Sequence, residues 1–228
     1  YREKRVTWDE LLQALQDNWE GHEALRQMCI HQVPKFGNDI DFVDDYVAYV
    51  QNIWYDTIDW ANTRRDFFPD YGGSFKGTSI MANTGSSLGA ITTALPDGFI
   101  GGTPLADAMS PVQSTDVSGS TAVLKSTSKL PHDRYAMGAL LNQRFTPQML
   151  ESEADIDNFA SYLMAAEELG IFHIQFNIID SELMKDAQLH PDNYRDLLVR
   201  VASYSAFFTD LDKRTQDDII SRTVHGGY

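Results

Sequence analysis

The amino-acid sequence predicts a globular protein of the α/β class. Apolar residues recur at helical spacing before residue 68 and after residue 153, and they alternate with polar residues over 172–178. Between these regions, residues 68–147 are rich in Gly, Ser, Thr and Pro, which is typical of loops and short strands that form walls and rims. The chain has 228 residues and 43% of them are hydrophobic, so it can bury a substantial core.

Three helices are predicted in the first part of the chain. Thr7 and Glu10 stand at the spacing of a capping box, which predicts a helix from there to about Trp19. A second helix is expected to end before Pro34. A long helix is predicted from about Asp39, because its apolar residues recur on one face and its acidic residues fall mostly elsewhere.

The remaining elements follow from shorter patterns. The apolar runs GAITTAL and TAVLKS in the middle of the chain predict short strands and loops. A helix is predicted over 154–168, where Gly170 ends it, and another over 181–188. A further helical start is expected at Asp192, and a closing helix is predicted over 210–223.

The segment IFHIQFNIID predicts a strand with two different faces. Its apolar face carries Phe172, Ile174, Phe176 and Ile178, and its polar face carries His173, Gln175 and Asn177. Charged side chains would be commoner on a face that points into solvent. The neutral hydrogen-bonding groups therefore predict that His173, Gln175 and Asn177 line a partly buried cavity.

Charge and hydropathy exclude several classes of partner. The formal charge is −15, from 18 basic and 33 acidic residues, which disfavours binding to nucleic acid or to anionic lipid. The sequence contains no uninterrupted apolar run of roughly 18 residues, the length that spans a bilayer. We therefore expect a cytoplasmic protein without a membrane partner. The first residue is Tyr1 rather than methionine, which indicates a fragment or a processed product.

Screening for reactive residues gives few candidates. Cys29 is the single cysteine, which excludes an internal disulfide, and its apolar neighbours predict a buried, reduced thiol. The histidines show no i, i+4 pair and no neighbouring cysteine, so no metal site is predicted. The segment GGSFKGTS lacks the order of a phosphate-binding loop, and no G-x-S-x-G motif occurs.

Several segments together resemble the C-terminal part of glycyl radical enzymes, the family of pyruvate formate-lyase, glycerol and diol dehydratases and arylacetate decarboxylases. The matching segments occur in the order that the family shows, from about residue 30 onward. They are PKFGND (34–39), TALPDG (93–98), GTPLADAMSP (102–111), TAVLKSTSKL (121–130), LLNQRFTP (140–147), HIQFNIID (173–180) and VRVASYSAFF (199–208) followed by LDKRTQDDIISRT. These segments are closer to the dehydratase and decarboxylase branch than to pyruvate formate-lyase.

The resemblance implies a fold and a domain organisation. The fold is the C-terminal part of a ten-stranded α/β barrel with an inward-pointing loop that carries a glycyl radical. Residues 1–67 would then form a helical segment that leads into the barrel, and residues 68–180 would supply barrel strands and helices. Residues 181–228 would form the C-terminal glycyl radical domain.

The resemblance also implies a radical mechanism. A cysteine on one loop becomes a thiyl radical and attacks a small-molecule substrate, while a glycine on a second loop stores the radical between turnovers. A separate activating enzyme, which uses S-adenosylmethionine and an iron–sulfur cluster, installs the radical, so no cofactor is expected to be bound. Oxygen cleaves the chain at the radical, which implies anaerobic metabolism in the cytoplasm. A homodimer is expected.

The radical loop of this chain departs from the family pattern at its central position. The motif falls on Arg200, Val201, Ala202 and Tyr204, and Ser203 stands where the family has its radical glycine. The family's catalytic cysteine lies upstream of every matched segment.

Cys29 does not match the catalytic cysteine, so the thiyl loop is expected outside this chain. Smaller departures are Phe99, Ser114 and Ser120, near positions where the family has arginine, glycine and proline.

Two functional hypotheses from different classes follow. The first is the C-terminal portion of a glycyl radical lyase that cleaves a C–C or C–O bond, of the dehydratase or decarboxylase type, with the remainder of the barrel on other sequence. The alternative is a non-catalytic or spare-part subunit that supplies a radical domain to a larger chain. A third interpretation, an unrelated binding domain, would be favoured by a fold without a loop at 200–204.

Overall fold

A computed structural model describes residues 3–64, 73–77, 84–136, 138–202 and 204–227. The described helices are α1 (Trp8–Gln16), α2 (Glu23–His31), α3 (Asp41–Thr63), α4 (Gly85–Gly89), α5 (Ser120–Ser128), α6 (Glu153–Glu168), α7 (Ser181–Leu189) and α8 (Lys213–Ser221). The strands are β1 (Leu140–Phe145), β2 (His173–Ile178), β3 (Leu198–Arg200) and β4 (Ser205–Phe207). Short 3-10 turns lie at His132–Arg134, Pro147–Leu150, Pro191–Asn193 and Phe208–Asp210. In these ranges no helix has the length and apolar character needed to cross a bilayer.

The chain folds into two compact units, each built from two stretches of sequence. The first comprises Tyr1–Pro34 with Thr84–Ala106, and the second comprises Lys35–Asn83 with Asp107–Tyr228. The division by sequence into residues 1–67, 68–180 and 181–228 stays a prediction.

The first unit packs α1 and α2 around a small apolar core. Cys29 lies in this core with 5% of its surface exposed, as expected for a structural thiol. The predicted capping box is confirmed, because the Glu10 backbone N–H donates to Thr7 Oγ1 and the Thr7 N–H donates to the Glu10 carboxylate at 2.8 Å. The Trp19 indole N–H donates to the carbonyl of Phe99 at 2.9 Å. That contact uses the backbone at position 99, so it does not depend on the side chain there.

The second unit is organised around the parallel pair of β1 and β2. Leu140 lies opposite His173 and Phe145 lies opposite Ile178 in this register. The apolar faces of both strands pack against α3, α5 and α6 in one core, and Phe145 at its centre is fully buried. The parallel order agrees with a crossover through a helix, which α6 supplies between the two strands.

The middle of the chain contains a helix that the sequence patterns did not predict. The run TAVLKS was expected in loops and short strands, and that prediction was wrong because α5 occupies it. The residues of α5 are buried on nearly every side of the helix. Its sequence therefore has no polar face that alternates with an apolar one at helical spacing. The buried residues are Ser120, Ala122, Val123, Leu124, Ser126 and Thr127.

The boundaries of other helices differ from the predicted ones by a few residues. The first helix ends at Gln16 rather than about Trp19, because Asn18 and Trp19 have positive φ angles of 50° and 67°. The closing helix begins at Lys213 rather than at residue 210, since the Asp212 side chain accepts the first-turn N–H groups as its N-cap. The helical start expected at Asp192 is only a single 3-10 turn.

For two residues that depart from the family pattern, the backbone conformation shows why the family residue is favoured there. Ser114 has a φ angle of 63°, in the left-handed region where glycine is favoured. Its backbone N–H donates to Thr223 Oγ1 at 3.0 Å, which helps to hold this conformation. Ser120 is the first residue of α5, a position where proline is favoured because that residue has no intrahelical N–H partner.

Candidate radical-loop site

The polar face of β2 is matched by a polar face on β1. Asn142 lies opposite Gln175 and Arg144 lies opposite Asn177, so these four side chains share one side of the strand pair. Gln175 and Asn177 are 5% and 4% exposed. The polar face of the predicted strand is therefore buried and does not point into open solvent.

A chain of hydrogen bonds crosses this face. Gln175 Nε2 donates to Asn142 Oδ1 at 2.5 Å, and Asn142 Nδ2 donates to the carboxylate of Asp107. Burial raises the pKa of Asp107, while the charge of Arg222 at 3.8 Å opposes this shift. Gln175 Oε1 is buried and has no hydrogen-bond partner among the described residues. It is thus a free acceptor on the polar face.

The segment 198–207 forms an antiparallel hairpin from β3 and β4. Arg200 lies opposite Ser205, and the backbone N–H of Val201 donates to the carbonyl of Tyr204 at 2.9 Å. Val201 and Ala202 are fully buried, whereas Tyr204 is 47% exposed. The described residues on either side of position 203 therefore belong to the two arms of one hairpin, where a loop was expected at 200–204. Ser203 lies outside the described residues.

The side chain of Asn177 joins β2 to this hairpin. Asn177 Nδ2 donates to the carbonyl of Arg200 at 2.7 Å, and the Arg200 backbone N–H donates to Asn177 Oδ1 at 2.8 Å. His173 is half-buried on the same face of β2. Burial and the nearby charge of Arg200 lower the pKa of His173, so its imidazole is neutral at pH 7.

The hairpin packs on an apolar cluster of its own. Val199 and Val201 from the hairpin contact this cluster, and Phe208 lies at its centre with no exposed surface. Residues of α7 and α8 form the opposite side of this apolar cluster. The buried members are Met184, Ala187, Val199, Val201, Phe208 and Ile219. All of them come from residues 184–219, so this segment carries a local core.

Arg144 connects this segment to β1. Arg144 Nη1 donates to the carbonyl of Ile220 at 2.9 Å and Nη2 donates to Ser181 Oγ at 2.6 Å, so one side chain contacts the end of α8 and the start of α7. It is 1% exposed. Burial lowers the pKa of Arg144 to about 10, with Asp180 opposing the shift and Arg222 adding to it. The guanidinium is therefore still charged at neutral pH.

The residues after α8 run along β1. The His225 backbone N–H donates to the carbonyl of Arg144 at 2.8 Å, and the Thr146 N–H donates to the carbonyl of His225 at 3.2 Å. A polar cavity lies beside this segment and includes Asp107, Asp116, Arg222 and His225. Its acidic and basic side chains lie close to one another.

Two residues that line this cavity have close polar partners. Arg222 lies 2.9 Å from Asp218, which lies outside the cavity lining, and His225 Nε2 lies 3.3 Å from Asp116. Among the residues with described positions, no group of three or more His, Cys, Asp or Glu is placed to hold a metal.

The structure thus brings together some of the residues singled out by sequence and adds others. Asn177 contacts Arg200, and His173 is influenced by the same arginine, whereas Gln175 contacts Asn142. Asn142, Asp107 and Arg144 were missed. The segment LLNQRF has three polar residues in succession and no alternation of apolar and polar residues, so its sequence gives no signal for one polar face. Only the register of β1 against β2 places Asn142 and Arg144 beside Gln175 and Asn177.

Two family comparisons match the chain. The family described as Glycine radical matches residues 105–209, and the family described as Pyruvate formate lyase-like matches residues 1–79. Among curated proteins, a probable dehydratase, YbiW of Escherichia coli K12, is 44% identical over 99% of this chain and 28% of its own length. Indoleacetate decarboxylase of Tractidigestivibacter scatoligenes is 39% identical over 84% of this chain and 21% of its own length.

A solved structure shows the same fold. The glycerol-bound form of the B12-independent glycerol dehydratase from Clostridium butyricum has a TM-score of 0.89 and 37% identity over 99% of this chain and 28% of that chain. The predicted fold class, part of the α/β barrel of these enzymes, is confirmed by this alignment. The chain spans 28% or less of the length of these three proteins. It belongs to the glycyl radical enzyme family.

Proposed function

We propose that this chain is the C-terminal portion of a glycyl radical lyase that cleaves a C–C or C–O bond in a small organic substrate. Relatives named as a dehydratase and a decarboxylase support this class of reaction. The observation that carries the proposal is the hairpin of β3 and β4, whose end is buried at Val201 and Ala202 and hydrogen-bonded to the polar face of β2. The thiyl cysteine lies on sequence outside this chain.

The proposed chemistry needs a glycine at the hairpin end. A radical on a glycine Cα delocalises over both flanking peptide groups, and without a side chain that centre becomes planar at no steric cost. In each turnover the glycyl radical takes the hydrogen atom of the cysteine thiol. The new C–H bond replaces the broken S–H bond, and the unpaired electron moves to sulfur. The radical SAM activating enzyme installs the glycyl radical at the start.

His173, Gln175 and Asn177 line the substrate side of the proposed site. Gln175 and the neutral imidazole of His173 offer hydrogen-bonding groups without net charge, which suits a small polyol or a small carboxylate. The Asn177 amide already bonds the backbone of Arg200 and closes this side of the site. The free acceptor of Gln175, Oε1, is available to a hydroxyl or amine of substrate. These roles are proposals for the assembled protein.

The outer face of α3 is evidence for a binding partner that completes the barrel. We define this outer face as the exposed apolar side of α3, whose residues recur at helical spacing. Tyr55, on the opposite side of the helix, lies in the core. Its members are Phe42, Tyr46, Tyr49, Val50, Ile53, Trp54 and Trp60, each between 47% and 64% exposed. Such a contiguous apolar face marks an interface. We assign it to the remainder of the barrel, because the chain spans only 28% of the length of its relatives.

Replacing Val50 and Trp54 with glutamate is expected to reduce self-association of the isolated polypeptide and to weaken its binding to the remainder of the barrel. Each side chain buried at an interface contributes about 1.5–3 kcal/mol, and a buried carboxylate adds a further cost. Light scattering and pull-down with the remainder of the barrel measure the two effects. The matched control is Val117→Glu, because Val117 is an 81% exposed apolar residue that is not a member of the outer face of α3. Equal behaviour of the control and the α3 variant would contradict the assignment.

The alternative proposal is a non-catalytic or spare-part subunit. The observation that favours it is Ser203 at the radical position. A Cβ at that position crowds a planar Cα radical, so the chain would associate stably with a larger chain and carry no radical. The intact mass of the native polypeptide, together with co-purification of a larger chain, separates a subunit from a segment of one long chain. A homodimer of the assembled barrel stays a prediction.

Electron paramagnetic resonance after anaerobic activation tests the proposed function. The native assembly is incubated with the activating enzyme, S-adenosylmethionine and a reductant, and its spectrum is compared with that of the Ser203→Gly variant. A doublet that depends on residue 203 supports a radical site in this hairpin. If only Ser203→Gly gives the doublet, the native chain carries no radical, as the alternative proposal states. The absence of any radical from both proteins, in an assembly that binds the activating enzyme, would overturn the proposal.

A further inference from the structure

The hydrogen bonds between Asn177 and Arg200 have the pattern of a strand pair. The side-chain amide of Asn177 donates to the Arg200 carbonyl at 2.7 Å and accepts from the Arg200 N–H at 2.8 Å. Asn177 is 4% exposed, so water competes little for either group. The Asn177 side chain thus makes the two hydrogen bonds to Arg200 that the backbone of a neighbouring strand would make.

The register of the hairpin explains why Arg200 needs such a partner. Hydrogen bonds between the two arms of the hairpin occur at Leu197, whose carbonyl accepts from Phe208 N–H at 2.7 Å, and at Val201, whose N–H donates to Tyr204 at 2.9 Å. In an antiparallel pair, alternate residues point their backbone groups outward. Both backbone groups of Arg200 therefore point away from β4, toward β2.

We propose that Asn177 is a positioning residue that holds the radical hairpin against β2 at Arg200, three residues before the radical position. This inference rests on the proposed function for the role of position 203. Asn177 is suited to the task because it lies on β2, which is held in register by β1 at Arg144. The apolar contacts of the hairpin, in contrast, are with the local core of residues 184–219.

The chemistry of the Asn177–Arg200 pair requires an amide. A carboxylate can accept from the Arg200 N–H but cannot donate to its carbonyl, so Asn177→Asp keeps one hydrogen bond of the pair. Leucine has a similar volume and makes neither bond. The two variants therefore form a graded series, and Asn193→Leu is the matched control because Asn193 is exposed on a 3-10 turn.

The first measurement is hydrogen exchange in peptides that contain the Arg200 amide, in the native assembly. We expect exchange at the Arg200 amide to be about tenfold or more faster in Asn177→Leu than in the wild type, as expected for the loss of a buried hydrogen bond. Asn177→Asp keeps the acceptor of this N–H and should exchange close to the wild-type rate. Asn193→Leu should equal the wild type. Equal exchange at Arg200 in the wild type and in Asn177→Leu would overturn the inference. If Asn177→Leu does not fold, Asn177→Ala takes its place in the comparison, because alanine also removes the acceptor of the Arg200 N–H.

The second measurement reads the radical itself in a Ser203→Gly background. Adding Asn177→Leu is expected to change the hyperfine splitting of the doublet and shorten its anaerobic lifetime, with Asn177→Asp between the two. A purely structural contact would lower thermal stability and leave the spectrum unchanged, and that result would overturn the positioning role. If Ser203→Gly alone gives no doublet, the proposed function fails, while the exchange series still judges the contact between Asn177 and the hairpin.

Discussion

Anaerobic activation of the Ser203→Gly variant is expected to give an electron paramagnetic resonance doublet that the Ser203 form does not give. A serine Cβ replaces one of the two glycine hydrogens and opposes the planar geometry of a delocalised Cα radical. Glycine at the same position removes that obstacle. The hydrogen bond between Val201 and Tyr204, which closes the hairpin end at 2.9 Å, involves neither backbone group of residue 203 and is expected to survive the change.

Ser205→Gly is the matched control for this experiment. Ser205 lies on the same hairpin, opposite Arg200, and is exposed, so its replacement changes the composition of the loop without changing position 203. The control should stay without signal. A doublet from the Ser203 form that disappears when residue 203 is changed would contradict the expectation and would show that serine carries the radical here.

Phe208→Ala is expected to lower the free energy of unfolding of the native assembly by about 3–5 kcal/mol, the cost of a large cavity at a site that cannot collapse. Phe208 has no exposed surface and lies in the local core under the hairpin. Its carbonyl also accepts from the Gln216 side chain at 2.8 Å, which ties the start of α8 to the hairpin exit. Denaturant-induced unfolding measures the loss.

The neighbouring residue provides the control for Phe208. Phe207→Ala removes an identical side chain that is 46% exposed, and it should cost under about 1 kcal/mol. The difference between the two variants isolates the effect of burial from the effect of composition. If Phe207→Ala costs as much as Phe208→Ala, the local core is not what stabilises the hairpin.

Elements with a local sequence signal were predicted well. The capping box at Thr7 and the strand at residues 173–178 each depend on residues close together in the chain, so composition and spacing reveal them. The burial of the polar face of this strand also followed from the absence of charge on it. α5 was missed because burial on nearly all sides removes the contrast between faces on which such predictions depend.

Contacts between distant residues could not be predicted in this way. The pairing of Asn177 with Arg200 requires the packing of β2 against the hairpin. The spacing of residues along the chain does not reveal which distant segments pack together. Arg144 is the clearest case, because a charged residue is expected on the surface and this one is 1% exposed. Its partners are two backbone carbonyls and one hydroxyl, which leave no mark in the sequence.

The Asn177–Arg200 pair leaves residue 200 chemically unconstrained. Both hydrogen bonds end on peptide groups, so the contact recognises the course of the main chain and ignores the side chain attached to it. Every amino acid except proline brings the required N–H. Selection can therefore alter the charge at position 200 without altering the two hydrogen bonds that join the hairpin to β2. The side chain of Arg200 itself bonds within the hairpin, where Nη1 donates to Ser205 Oγ at 3.2 Å.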